Sequence, residues 1–145
     1  MKSFYNIVLA LSGLALFYVS TMRLIDPSAA SFLKTYLADV GNALTIEMMS
    51  EIRGIGAEMV LAGIVAFLGI FMPRFRVTAF VVLSVVFVGV VLGRSVSWVV
   101  DGVPDESLFM PLTHEAILAA VNVFCLAHIL IKERNSPGER SAPAI

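Results

Sequence analysis

Four stretches of the chain, residues 3–22, 59–73, 77–93 and 116–131, contain no Lys, Arg, Asp or Glu, so its 10 basic and 11 acidic residues are confined to the segments between them. Helical rise is 1.5 Å per residue, and about 20 mostly apolar residues cross the hydrocarbon of a bilayer. A soluble fold of this length has too little interior to hide four such segments, because small domains keep a high ratio of surface to volume. Composition agrees: 59% of the residues are hydrophobic and 14% charged, whereas ordinary soluble domains carry about 25% charged residues. The pattern therefore predicts an all-α membrane protein, a four-transmembrane-helix bundle with spans over about 4–22, 53–72, 77–100 and 108–131. These form one domain over residues 1–134. The tail 135–145 (NSPGERSAPAI) is polar and bears Pro and Gly, which predicts disorder.

The first span follows Lys2 and has no Ala-x-Ala site after its long apolar run, so it reads as a retained helix rather than a signal peptide. Residues 72–76 (MPRFR) read as a tight turn, which makes spans two and three antiparallel neighbours. Lys2, Arg74, Arg76, Lys132, Arg134 and Arg140 fall on one side. The other side carries Arg23 and Lys34 among Asp26, Asp39, Glu47 and Glu51, and its loop 101–107 holds three acids and no base. The positive-inside rule then places both termini in the cytoplasm.

Residues 28–50 put Phe32, Leu33, Tyr36, Leu37, Val40 and Leu44 at helical spacing, with Lys34, Asp39 and Asn42 off that stripe. Two readings are open. The segment is an extra amphipathic helix on the outer surface, or the second span extends back to about residue 45.

Several function classes are excluded or left without a signature. A net charge of −1 gives no electrostatic footprint for nucleic acid. One cysteine, Cys125, cannot build a disulfide framework or a multi-Cys metal site. No Gly-rich phosphate loop, Gly-x-Ser-x-Gly elbow or His-Glu-x-x-His pair occurs, so no cofactor, metal or catalytic residue is assigned.

Charged groups within spans are costly in hydrocarbon, and they mark candidate sites. Counting along each helix from its cytoplasmic end puts Glu58 roughly 21 Å, Arg53 roughly 28 Å, Arg94 roughly 26 Å and Glu115 roughly 24 Å up. Three helices thus bring two cations and two anions to one layer in the outer leaflet. Arg94, Ser97 and Asp101 share a face of the third span at i, i+3, i+7, while Glu115, Ala119 and Asn122 share one on the fourth. Glu58, Ala62, Val65 and Gly69 form a narrow stripe on the second. Arg53 lies about 140° from Glu58, so it reaches sideways along the interface. The expected arrangement is a direct Arg94–Glu115 pair with Glu58 nearby, beneath an acidic lid of Asp101, Asp105 and Glu106. Such a layer either locks the helices in register or binds a ligand, proton or partner.

His114 and His128 are 14 residues and roughly 21 Å apart, too far to share a metal. A hydrogen bond to a partner is the expected role of each. Gly54, Gly56, Gly63 and Gly69 on the second span, and Gly89-x-x-x-Gly93 on the third, read as packing contacts within the bundle. Phe4, Tyr5, Tyr18, Tyr36, Trp98 and Phe109 read as interfacial belt anchors.

These pieces resemble a family of bacterial four-helix membrane proteins catalogued as domain of unknown function 4345, within a broader DoxX-like group. The matching elements are Arg53-Gly54-Ile55-Gly56 with Glu58, Gly93-Arg94-x-x-Ser97, Asp101-Gly102-x-Pro104, and Glu115 in the fourth span. The resemblance covers about residues 4–131. It implies the four-helix fold and a polar layer rather than a reaction.

The functional expectation is a non-enzymatic binding protein or accessory subunit of a membrane complex. Its partners would be the lipid bilayer and another membrane protein or a further copy of itself. An oligomeric carrier of a small amphiphile, or an enzyme working through the Arg/Glu layer, are the alternatives.

Overall fold

The computed structural model describes residues 2–27, 45–102 and 109–135. Four long helices fill them: α1 (Lys2–Ile25), α2 (Ile46–Phe71), α3 (Arg76–Val100) and α4 (Phe109–Asn135), with a 3-10 turn at Pro73–Phe75. All four are long and apolar enough to cross a membrane. The amphipathic stretch through residue 44, the lid residues Asp105 and Glu106, and the tail beyond residue 135 lie outside the described residues.

Local chemistry sets the helix ends. Thr45 caps α2, its hydroxyl accepting from the Met48 N–H at 3.3 Å, so the second span opens at Ile46 rather than near residue 53. At its other end Pro73 offers no N–H and disfavours helical geometry in the residue before it. Met72 is accordingly extended (φ −121°, ψ 100°), and the chain turns through Pro73–Phe75 straight into α3. At the end of α3 the Asp101 N–H bonds the Ser97 carbonyl at 2.7 Å, and Gly102 follows with φ 101°. That left-handed conformation is the usual helix stop, and glycine adopts it without a Cβ clash.

The helices pack as two hairpins. In the first, α1 and α2 lie against each other along their whole length through small residues. A methyl on Gly63 would sit 3.2 Å from the Gly13 carbonyl oxygen, and one on Gly13 would sit 3.1 Å from the Ala66 Cβ. Further along, Gly56 lies as close to Ser20 and Arg23. Every buried residue of α2 is Gly or Ala: Gly56, Ala62, Gly63, Ala66 and Gly69. Backbones this close gain dispersion contacts that lipid chains cannot replace. In the second hairpin, α3 and α4 are joined near their loop by Trp98 and Phe109, whose ring centroids are 5.2 Å apart.

The hairpins meet firmly in the half of the bundle that holds the chain termini. There α1 supplies Tyr5, Leu9 and Ser12, α3 supplies Phe80 and Leu83, and α4 supplies Asn122 and Cys125 to a common core. Tyr5 sets its ring edge against Phe80 at 5.8 Å and shares a 2.6 Å hydrogen bond with His128 Nδ1. Arg76 donates to Asn6 Oδ1 at 3.0 Å, and Asn122 donates to the Ser12 hydroxyl at 2.8 Å. Near the turn, a methyl on Gly69 would come within 2.7 Å of the Ala79 Cβ. Tyr5 is therefore a core residue and not a belt anchor, while Tyr18, 68% exposed, keeps an outward position.

In the other half the hairpins part. No described residue of α3 after Phe87, and none of α4 before Ala119, is buried. Among the described residues, Gly54, Gly89 and Gly93 have no neighbour within 4 Å of where a side chain would stand, so they are not packing contacts between these four helices. Outward faces carry Leu11, Leu61, Val85, Val96 and Phe124, each at least 58% exposed. Lipid is the solvent that such faces require.

Candidate functional site

Between the parted hairpins lies a cavity of about 790 Å³ with walls from all four helices. Its lining is mostly aliphatic and aromatic: Leu16 and Val19 from α1, Ile52, Ile55 and Met59 from α2, Phe87 and Val90 from α3, and Leu118 from α4. The α2 residues fall at i, i+3, i+7, which is one helical face turned to the cavity. Among the described residues, the charged side chains in the wall are Arg23, Arg94 and Glu115, with His114 beside them.

Arg94 and Glu115 form a two-point ion pair across the second hairpin. Arg94 Nη2 donates to Glu115 Oε1 at 3.1 Å, and Nε stands 2.7 Å from Oε2. The closer contact is electrostatic, lying outside hydrogen-bond alignment. Both side chains are roughly three-quarters covered, at 24% and 22% exposure. Pairing spares each charge most of the cost of leaving water, and the planar guanidinium fixes the angle between α3 and α4.

Arg23 stands on the opposite hairpin, in the last turn of α1. It donates from Nη1 to the Met59 sulfur at 3.3 Å and lies within electrostatic reach of both Arg94 and Glu115. By sequence it falls just past the predicted first span, among the charges of the outer side. Its register was nevertheless visible: Leu16, Val19 and Arg23 recur at i, i+3, i+7, which puts the guanidinium on the face that Leu16 turns inward.

The remaining candidates separate. Glu58 is exposed and outside the cavity wall, because it sits about 100° round α2 from Met59. Arg53, also exposed, donates from Nε to the Leu24 carbonyl at 3.3 Å and so ties α2 to the end of α1. Ser97 donates to Asp101 Oδ2 at 2.8 Å, an exposed pair closing the last turn of α3. Asn122 is fully buried in the packed half, where it donates to Ser12 and to the Leu118 carbonyl and leaves Oδ1 without a partner. The layer of four charges expected from helix depth thus resolves into one ion pair on the cavity wall and two residues outside it.

His114 Nδ1 lies 2.7 Å from the Met110 carbonyl. A carbonyl only accepts, so the proton is on Nδ1 and, in the neutral ring, Nε2 is an acceptor. Among the described residues no three His, Cys, Asp or Glu side chains come together as a metal site. The arrangement offers an apolar chamber with a small polar end, the usual composition of a small-molecule site. Among the described residues of its wall, no nucleophile is paired with a base.

Comparison with curated proteins and with solved structures gives no match. The model of one family, described as a domain of unknown function, DUF4345, matches residues 4–126. That stretch takes in α1, α2, α3 and α4 as far as Leu126, and with it the cavity and its ion pair. The chain is therefore a four-helix membrane member of the DUF4345 family.

Proposed function

We propose that this protein is a non-enzymatic membrane binding protein whose ligand is a small amphiphile. The apolar body of the ligand would lie between the hairpins, with its polar group at the Arg94–Glu115 end. The observation that carries this reading is the combination of an approximately 790 Å³ apolar chamber with a single charged corner. Cavities of this size suit drug-sized or single-chain molecules, and polar groups in them set orientation.

Filling the chamber tests the reading. Val19→Trp and Val90→Trp, each placing a bulky ring in the wall, should abolish thermal stabilisation by added single-chain amphiphiles without lowering the melting temperature of the empty protein. Failure of every such amphiphile to stabilise the unaltered protein would overturn it.

A second reading, an accessory subunit or oligomeric carrier, draws on a different observation. Gly89, one turn before the chamber-lining Gly93, is exposed and has no described neighbour where a side chain would stand on α3. Small residues four apart let a neighbouring transmembrane helix approach closely. Gly89→Leu, outside the chamber wall, would then dissociate a complex that survives mild detergent, a result that cross-linking or native mass spectrometry reads directly.

We also infer that both termini face the cytoplasm of a bacterial inner membrane. Lys2, Arg74, Arg76, Lys132 and Arg134 all lie at the end of the bundle that holds the termini, which fits positive-inside orientation. Terminal reporter fusions test it. Arg74→Glu with Arg76→Glu should disturb the orientation that they report.

A further inference from the structure

The end of the bundle that holds Lys2 and Asn135 carries a positive charge that the chamber, in the other half, does not use. Lys2, Arg74, Arg76, Lys132 and Arg134 lie there with one acid, Glu133, among the described residues. The side chains of the tail past residue 135 add one Arg and one Glu, which cancel. None of the five bases forms an ion pair among the described residues.

Two hydrogen bonds draw three of these bases around the start of α1. Tyr5 bonds His128 of α4 at 2.6 Å, and Asn6 accepts at 3.0 Å from Arg76, the first residue of α3. Lys2 precedes Asn6 by four residues, and Lys132 follows His128 by four. Each lysine therefore stands on the contacting face of its helix, one turn (about 5.4 Å) nearer the end of the bundle. Both are exposed, whereas Arg76 is half-buried. Asn6 Oδ1 is the one acceptor that Arg76 has among the described residues, and its enclosed Nε has none. A guanidinium drawn partly out of water without a carboxylate is costly, and an anion beside it offsets that cost.

We propose that Lys2, Arg76 and Lys132 form a site for the phosphate of an anionic phospholipid, where α1, α3 and α4 come together at the membrane surface. The planar guanidinium supplies directed donors that suit phosphate oxygens, and the lysines reach the same headgroup along their aliphatic stems. The acyl chains lie along the apolar outer faces of the helices. A zwitterionic headgroup brings its own cation into a cluster of three, so the site selects lipids of net negative charge. Arg74, with its guanidinium 5.0 Å from the centre of the Phe75 ring, and Arg134 add attraction over the surface around it.

Native mass spectrometry of the full-length protein in a mild non-ionic detergent tests the site, with phosphatidylglycerol and phosphatidylcholine of the same acyl chains as probes. The first phosphatidylglycerol should bind about tenfold more tightly than phosphatidylcholine, and rising salt should shrink the difference. Lys2→Gln, Arg76→Gln and Lys132→Gln should each weaken phosphatidylglycerol about fivefold, the effect expected of one basic residue near an anionic surface, and leave phosphatidylcholine unchanged. Arg53→Gln removes the same charge in the opposite half of the bundle and should leave both lipids unchanged. The lysine variants change exposed side chains, so they read the site even if Arg76→Gln fails to fold.

Equal binding of the two lipids would overturn the site. So would a loss in Arg53→Gln as large as that in the lysine variants, which would show that total charge and not position matters. Displacement of phosphatidylglycerol by an equal concentration of inorganic phosphate would overturn the lipid in favour of a soluble phosphate.

Discussion

The two halves of this bundle use the same four helices in opposite ways. In the half that holds Lys2 and Asn135, helices meet through Tyr5, Phe80, Leu83 and the Ser12–Asn122 hydrogen bond, and the side chains there are buried. In the other half, α3 and α4 bury nothing between Phe87 and Ala119 in the described residues, and a chamber takes the place of a core. Membrane helices are not pushed together by water, so they stay in contact only where small residues or hydrogen bonds reward it. The packed half has those contacts between hairpins. The open half keeps them only within hairpins, through Gly56 in one and the Arg94–Glu115 pair in the other. Packing is concentrated at one end and open volume at the other.

Substitutions can break or sharpen that contrast. The largest expected effect is from Arg94→Ala, which strands the Glu115 carboxylate and should cost about 3 kcal/mol, the low end for removing one partner of a buried pair. Unfolding in detergent measures it. The double change to Gln at both positions should be far milder, which would show that the penalty is an unpaired charge and not a lost contact. Next comes Gly63→Val, which drives a branched side chain into the Gly13 backbone of the first hairpin. Overpacking of this kind costs about 2 kcal/mol, and unfolding in detergent should show the loss.

A smaller loss, about 1 kcal/mol, is expected for Tyr5→Phe, which removes the hydrogen bond to His128 but keeps the ring against Phe80. Calorimetry on that variant tests whether the packed half gains from polar contacts as well as shape. The smallest effect should be Glu58→Gln, within about 0.5 kcal/mol, since the side chain is exposed and off the cavity wall. A loss as large as that of Arg94→Ala would restore the four-charge layer that helix depth alone suggested.

Depth along a helix is legible in sequence because the rise per residue is constant, and it brought Arg94 and Glu115 to the same level. Direction around the helix axis is legible only relative to other residues on the same helix. That is why Glu58 and Arg53 could be placed at the right height yet prove to face elsewhere, and why Arg23 was missed while sharing a stripe with Leu16 and Val19. Gly63 and Gly89 look alike in sequence. One lies against Gly13 and the other faces open space, and no local pattern distinguishes them.

By itself, the sequence determined the membrane environment, the four helices and the turn at Pro73. Each follows from short-range physics: hydrocarbon thickness against helix rise, and the missing proline N–H. Only the tertiary structure decided that the helices pair as two hairpins, that these part in one half, and that Arg23 and Arg94 face one chamber from opposite sides. Those outcomes depend on which small-residue faces find one another across the chain. In a bilayer, where every apolar face is equally satisfied by lipid, hydropathy carries no record of that choice.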